Sequence, residues 1–148
     1  MVGDDARRSP TRKTPPVIEV IDHPGELELR LSHATCAGVY AEAVRGLVAE
    51  SQGSVPAGGA ERRILSLASS TPETLLADLL NEVVYVMETE GFVPRTLEVG
   101  ELEGGRLRGT LVGRSGADVR PLVKAATYHD LRIWQEDGAW HGRVVLDV

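Results

Sequence analysis

Two segments of this 148-residue chain bring acidic side chains to the ends of apolar stretches: Asp22-His23-Pro24-Gly25-Glu26 and Leu146-Asp147-Val148. The first reads as a turn between two strands. The second ends on a residue that carries the main-chain carboxylate. Carboxylates gathered at strand ends supply the hard oxygen donors that calcium or magnesium prefers. The competing reading is that these acids are solvated surface groups, and nothing in their spacing alone joins Glu26 to Asp147. Other chemistries have less behind them. Gly113-Arg114-Ser115-Gly116 is not followed by Gly-Lys-Ser/Thr, so it is no phosphate-binding loop. His23, His33, His129 and His141 form no i, i+4 pair, and no Cys/His cluster has zinc spacing. No Gly-x-Ser-x-Gly elbow is present. Cys36 falls on an apolar face with no base in a recognisable motif, so it reads as a core thiol.

The elements that must position these acids follow from periodicity. Val17–Ile21 reads as a short strand, Pro24-Gly25 as punctuation, and Leu27-Glu28-Leu29-Arg30-Leu31 as a half-buried strand by strict alternation. Thr35 can cap a helix running to Ala49, with Cys36, Val39, Tyr40, Ala43 and Leu47 on one face. The glycines and proline of 52–60 predict a loop, and Ile64, Leu65 and Leu67 a short strand. Thr71 as N-cap, Pro72 at the first helical position and Gly91 as the stop frame a helix over 71–90. Its apolar stripe includes Leu76, Leu80, Val83 and Met87. Gly104-Gly105 predicts a hairpin between 96–103 and 106–112, and Asp137-Gly138 a second one leading into a closing strand from Trp140. Residues 113–120 read as a polar loop, and 123–134 as extended chain. Within that stretch Tyr128 and His129 fall on opposite faces, which predicts that one of them packs. The order of strands and helices predicts an α+β fold, a mostly antiparallel sheet with two packed helices.

Composition narrows the classes. At 42% apolar and 26% charged residues, the chain is ordinary for a globular domain. One cysteine excludes an intrachain disulfide and makes a reducing, intracellular setting the default expectation. Apolar runs no longer than Val83–Met87 exclude a membrane-spanning helix, and the N-terminal charges precede no apolar stretch of a secretory signal. Residues 1–16 read as a disordered tail with Arg7, Arg8, Arg12 and Lys13 against Asp4 and Asp5, and 17–148 as one domain. The net charge of −6 therefore becomes −8 over the domain, which disfavours direct nucleic-acid binding by the folded body. Six aromatic residues leave few surfaces for stacking bases.

Several segments together resemble a known family. Val123-Lys124-Ala125-Ala126-Thr127-Tyr128-His129-Asp130, then Trp140, then Val144-Val145-Leu146-Asp147-Val148 resemble the C-terminal signature of the archeases. Asp22-His23-Pro24-Gly25-Glu26-Leu27 is similar to their His-Thr-Ala-Asp-Ile motif, and Leu80-Asn81-Glu82-Val83-Val84-Tyr85 to their second-helix motif. The order and separations fit from about Val17 to Val148. Archeases are protein cofactors of the GTP-dependent tRNA-splicing RNA ligase. The resemblance implies that this chain assists the ligase's guanylylation and multiple turnover in tRNA splicing or RNA repair, acts in the cytoplasm, and is not itself an enzyme. It also implies an α+β fold with a duplicated strand-helix-strand-strand unit. The family's divalent-cation site carries over to Glu26, Asp147 and Val148, the last through its terminal carboxylate. Calcium is the expected ion, with magnesium or manganese as alternatives. The family's functional lysine carries over to Lys124. Glu26 stands where the family usually has Asp, and Arg114 stands in a shortened loop where it has Glu. Two other functions stay open beside this one: a small metal-dependent phosphohydrolase using the same acids, and a metal-free protein-binding module.

Overall fold

The 71–90 segment forms because its ends are chemically closed as well as its face being apolar. In the computed structural model, which describes residues 17–148, helix α2 spans Pro72–Glu90. The Thr71 hydroxyl accepts from the Thr74 N–H, and the Thr74 hydroxyl accepts from the Thr71 N–H, so two otherwise unpaired donors are satisfied reciprocally. Gly91 ends the helix at φ 63°, a left-handed conformation that glycine adopts without strain. Helix α1 spans Cys36–Ala49 behind its Thr35 cap. The tail expected over 1–16 lies outside the described residues.

Among the described residues ten strands surround the helices, and every pairing between them is antiparallel. They are β1 (Val17–His23), β2 (Glu26–His33), β3 (Ser51–Ser54), β4 (Glu61–Ala68), β5 (Val93–Glu103), β6 (Arg106–Arg114), β7 (Asp118–Pro121), β8 (Ala125–Ala126), β9 (Arg132–Glu136) and β10 (Ala139–Asp147). The large sheet runs β9-β10-β2-β1, and β8 also pairs with β10. A second sheet runs β4-β6-β5, and β3 pairs with β7 alone.

The order exposes an internal repeat. The strand before α2, the last strand and the middle strand lie as β4-β6-β5. The strand before α1, the last strand and the one before it lie in the same order, β2-β10-β9. The fold is therefore α+β with a duplicated strand-helix-strand-strand unit, as expected. The two copies are nested: the whole second unit is inserted between α1 and β9 of the first.

One continuous core joins both units. Leu29, Leu31 and Leu146 enter from the large sheet, Leu107 and Leu111 from the smaller, and Tyr40, Leu47, Leu76 and Leu80 from the helices, all fully or almost fully buried. Each such leucine contributes about 1.5–3 kcal/mol by leaving water. The Tyr40 hydroxyl donates to the Pro72 carbonyl (2.6 Å), which ties α1 to the start of α2. Burial pushes that phenol well above its ordinary range. Burial also raises the Cys36 thiol, which packs at the edge of the core, as read.

Three local expectations need correction. Parts of the loops expected over 52–60 and 113–120 pair as β3 and β7. The extended stretch 123–134 is broken by a turn in which Asp130 has φ 54°. Tyr128 and His129 therefore lie outside any strand, and both are exposed. Close packing makes a testable point at Gly142 on β10. A Cβ there would sit 2.6 Å from Cγ1 of Val39, too near for either atom. Gly142→Ala should cost about 1–3 kcal/mol by overpacking, read as a lowered urea midpoint with unchanged slope.

Candidate functional site

The hairpin between β1 and β2 brings the first acid into place. His23 and Glu26 are cross-strand partners, so the loop is Pro24-Gly25 alone. Gly25 has φ 75°, the left-handed second position of a Pro-Gly turn. On the other side of β2, Asp147 stands directly opposite Glu26 in the β10–β2 ladder. Directly opposed residues share a face with Cβ atoms about 5 Å apart. The two carboxylates are therefore neighbours at one exposed end of the two central strands, although they lie far apart in the sequence. Val148 follows immediately, and its N–H donates to the Gly25 carbonyl (3.1 Å), folding the chain end onto the turn. Lys124 joins through its main chain: its N–H donates to the Asp147 carbonyl (2.7 Å), while its side chain is exposed. All four residues singled out in the sequence thus meet at one corner of the large sheet.

Two carboxylates facing each other repel, and hard oxygen donors are what a hard cation takes. Among the described residues, however, no three His, Cys, Asp or Glu side chains form a group that could hold a metal ion by themselves. Glu26 and Asp147 fit such an ion as two members of a shell that main-chain oxygens and water would complete. His23 shares their row but is turned away from them. Its Nε2 lies 3.6 Å from Oε1 of Glu28.

Glu28 is the main feature that sequence reasoning missed. It is only 3% exposed, on the face of β2 turned away from the core. Arg143 of β10 grips it with two donors, Nε to Oε2 at 2.8 Å and Nη2 to Oε1 at 3.2 Å, and Arg30 Nε adds a third at 2.6 Å. These guanidinium bonds, Arg143 first, outweigh desolvation and hold the Glu28 carboxyl at about 2. The Glu28–Arg143 fork locks β2 to β10 two residues from the Glu26–Asp147 pair. Its register therefore fixes which acids face each other. The Glu28-x-Arg30 pattern on an alternating strand was the only signal, and it equally describes a solvated face.

Helix α2 sets the other border. The Asn81 side chain acts as an extra strand partner for β8, accepting from the Ala126 N–H (2.8 Å) and donating to its carbonyl (3.1 Å). Asp78, one turn earlier, accepts hydrogen bonds from Tyr128 and Ser69. Tyr128 is 56% exposed, and its phenol is raised mainly by the bond to Asp78. Asn81 and Asp78 thereby hold the segment that carries Lys124.

Comparison with known proteins agrees with this architecture. Residues 19–148 match the model of the Archease protein family. Protein archease of Methanothermobacter thermautotrophicus is 35% identical over 95 residues, 60% of this chain and 68% of that protein. The solution structure of Methanobacterium thermoautotrophicum protein 1598 superposes with a TM-score of 0.67 at 25% identity, over 88% of this chain and 98% of that one. The crystal structure of an archease from Thermotoga maritima, described as a possible chaperone, has the same fold, with a TM-score of 0.62 at 21% identity over 88% and 96% of the chains.

Proposed function

Since the chain belongs to the archease family, we propose that it is an accessory protein that activates a GTP-dependent RNA ligase in tRNA splicing or RNA repair, promoting guanylylation and multiple turnover. It acts in the cytoplasm, through the ligase, and does not itself join RNA. What carries the reading is the corner where Glu26 opposes Asp147 beside the Lys124 main chain. Glu26, Asp147 and the main-chain carboxylate of Val148 would hold a divalent cation, most naturally calcium, because the longer Glu26 side chain suits its flexible coordination. When bound, that ion supplies positive charge for aligning nucleotide phosphates. The protein's own part is positional. The Val148–Gly25 bond keeps the turn closed over the acids, and Lys124 offers a second positive group at the same exposed end. The acidic balance of the domain keeps it off RNA backbones and favours a basic protein surface. The description of the Thermotoga maritima relative as a possible chaperone accords with a protein partner. No helix among the described residues is long and apolar enough to cross a membrane. A phosphohydrolase has less support, because the one histidine beside the acids is directed to Glu28.

The test is turnover. The purified GTP-dependent ligase, given excess cleaved RNA, should pass from about one round to many when this protein is added with calcium. Unchanged ligation with and without it would overturn the proposal.

A further inference from the structure

Away from the acidic corner, the chain folds around a cavity of about 600 Å³. One wall is the end of α1, with Arg45 and Val48. Another is the 55–58 segment, with Val55. The third is formed by the start of β5 and the end of β6, with Val93, Arg95 and Arg114. A volume of this order accommodates a small organic ligand. Three features of the lining define which kind.

The lining is mostly aliphatic, and no aromatic ring is among the described residues that form it, so it is not built to stack a base. Its charged members are three arginines and no carboxylate, in a domain whose net charge is −8. Two of these arginines are fixed. Arg45 is held by Glu42 (3.0 Å), and Arg114, which also lies 3.8 Å from Oε2 of Glu61, donates to the carbonyls of Gly59 (2.6 Å) and Ala57 (3.1 Å), pinning the 55–59 segment over the cavity. Gly58, at φ 132°, permits that close approach, since a Cβ would meet the Arg114 guanidinium at 3.1 Å. The Arg114 Nε–H is buried without a hydrogen-bond partner among the described residues. The site is thus a half-open aliphatic pocket rimmed by guanidinium groups, two of them held by Glu42 and Glu61 and the third, Arg95, exposed.

We propose that this cavity binds a small amphipathic anion, with an aliphatic body in the chamber and a carboxylate or phosphate head against Arg45, Arg95 and Arg114. The aliphatic walls and the guanidinium groups recognise different ends of one molecule. A neutral chain of equal length would leave the rim unmatched, and a bare anion would leave the chamber in water. The site is separate from the Glu26–Asp147 corner and stands independently of the ligase reading.

The probes are octanoate, octyl phosphate and 1-octanol, titrated into the full chain and followed by amide NMR and calorimetry. Octanoate or octyl phosphate should bind saturably and shift the amides of Val48, Val55 and Val93. Octanol should bind at least tenfold more weakly. The relative affinity of the two anions identifies the preferred head group. Arg95→Ala, at an exposed position, should weaken anion binding about tenfold and leave octanol unchanged, whereas Val55→Asp, in the aliphatic wall, should weaken all three probes and the anions most. Glu26→Gln should leave all three titrations unaltered. Equal binding of octanol and the anions, shifts confined to other residues, or no saturable binding of either anion would overturn the assignment.

Discussion

Asp147→Asn should abolish most of the stimulation of ligase turnover while leaving the metal-free protein as stable as before, or slightly more so. The opposite signs follow from the ladder. Glu26 and Asp147 are directly opposed, and like charges in that position destabilise a sheet by about 0.2–1 kcal/mol. An amide removes the repulsion and keeps the shape, so the melting temperature without metal holds or rises. The same change removes one of two carboxylate charges from the proposed ion shell, where a charge-assisted contact contributes about 1.5–3 kcal/mol. Calcium affinity should therefore fall at least about tenfold. Glu26→Gln should behave alike. A structural role for Asp147 predicts the reverse pattern, a lower melting temperature with calcium binding retained. Paired thermal melts and calorimetric titrations distinguish the two outcomes.

Arg143→Met should be among the most damaging single changes on the protein's surface. It removes the two-donor grip on Glu28 and leaves a carboxylate that is 3% exposed with Arg30 as its remaining strong partner. Breaking a buried pair from one side costs about 3–5 kcal/mol, and the retained Arg30 contact places the expectation near the lower figure. At this chain length about 3 kcal/mol corresponds to a fall of roughly 6–12 °C in melting temperature. Adding Glu28→Met to the same chain should recover most of the loss, because no unpaired charge is then left buried. If the double variant melts no higher than Arg143→Met alone, the charge pair is not the cause.

The same carboxyl gives a pH signature. Glu28 is held at about 2 instead of 4.5, so its contribution is fully present above pH 4.5 and is lost as pH falls toward 2. That interval amounts to about 3 kcal/mol. Glu28→Gln should flatten the acid limb of stability against pH between those values, measured by urea denaturation.

How much of this was legible beforehand depends on whether the cause was local. Thr71, Pro72 and Gly91 announced α2, because caps and stops act through atoms within one turn. Gly104-Gly105 and Asp137-Gly138 announced their hairpins for the same reason. The β3–β7 pair was invisible, since Ser-Gln-Gly-Ser carries no apolar residue and Asp-Val-Arg-Pro is too short for its alternation to register, and both are strands only because they meet. Glu28 was misjudged by its own periodicity. Alternation correctly places it on the face away from the core, but that face is covered at this point by side chains from β1, β2 and β10. The approach of Glu26 to Asp147 depends on a ladder between the second strand and the last. No spacing rule spans that distance, and only the family resemblance pointed to it.

The nesting of the two units has a consequence for synthesis. The inner unit holds all of its strands by Arg114, so it can close before β10 is available. The outer unit cannot, because β2 must wait for β10 to emerge. At about 5–20 residues per second the delay lasts seconds, long compared with the folding of a small domain. Throughout it, Leu29 and Leu31 have their β1 neighbours but lack those of β10, and one side of β2 offers unpaired amides to any passing chain. A nascent chain stalled before its last strand is therefore expected to be the form most in need of a holding chaperone.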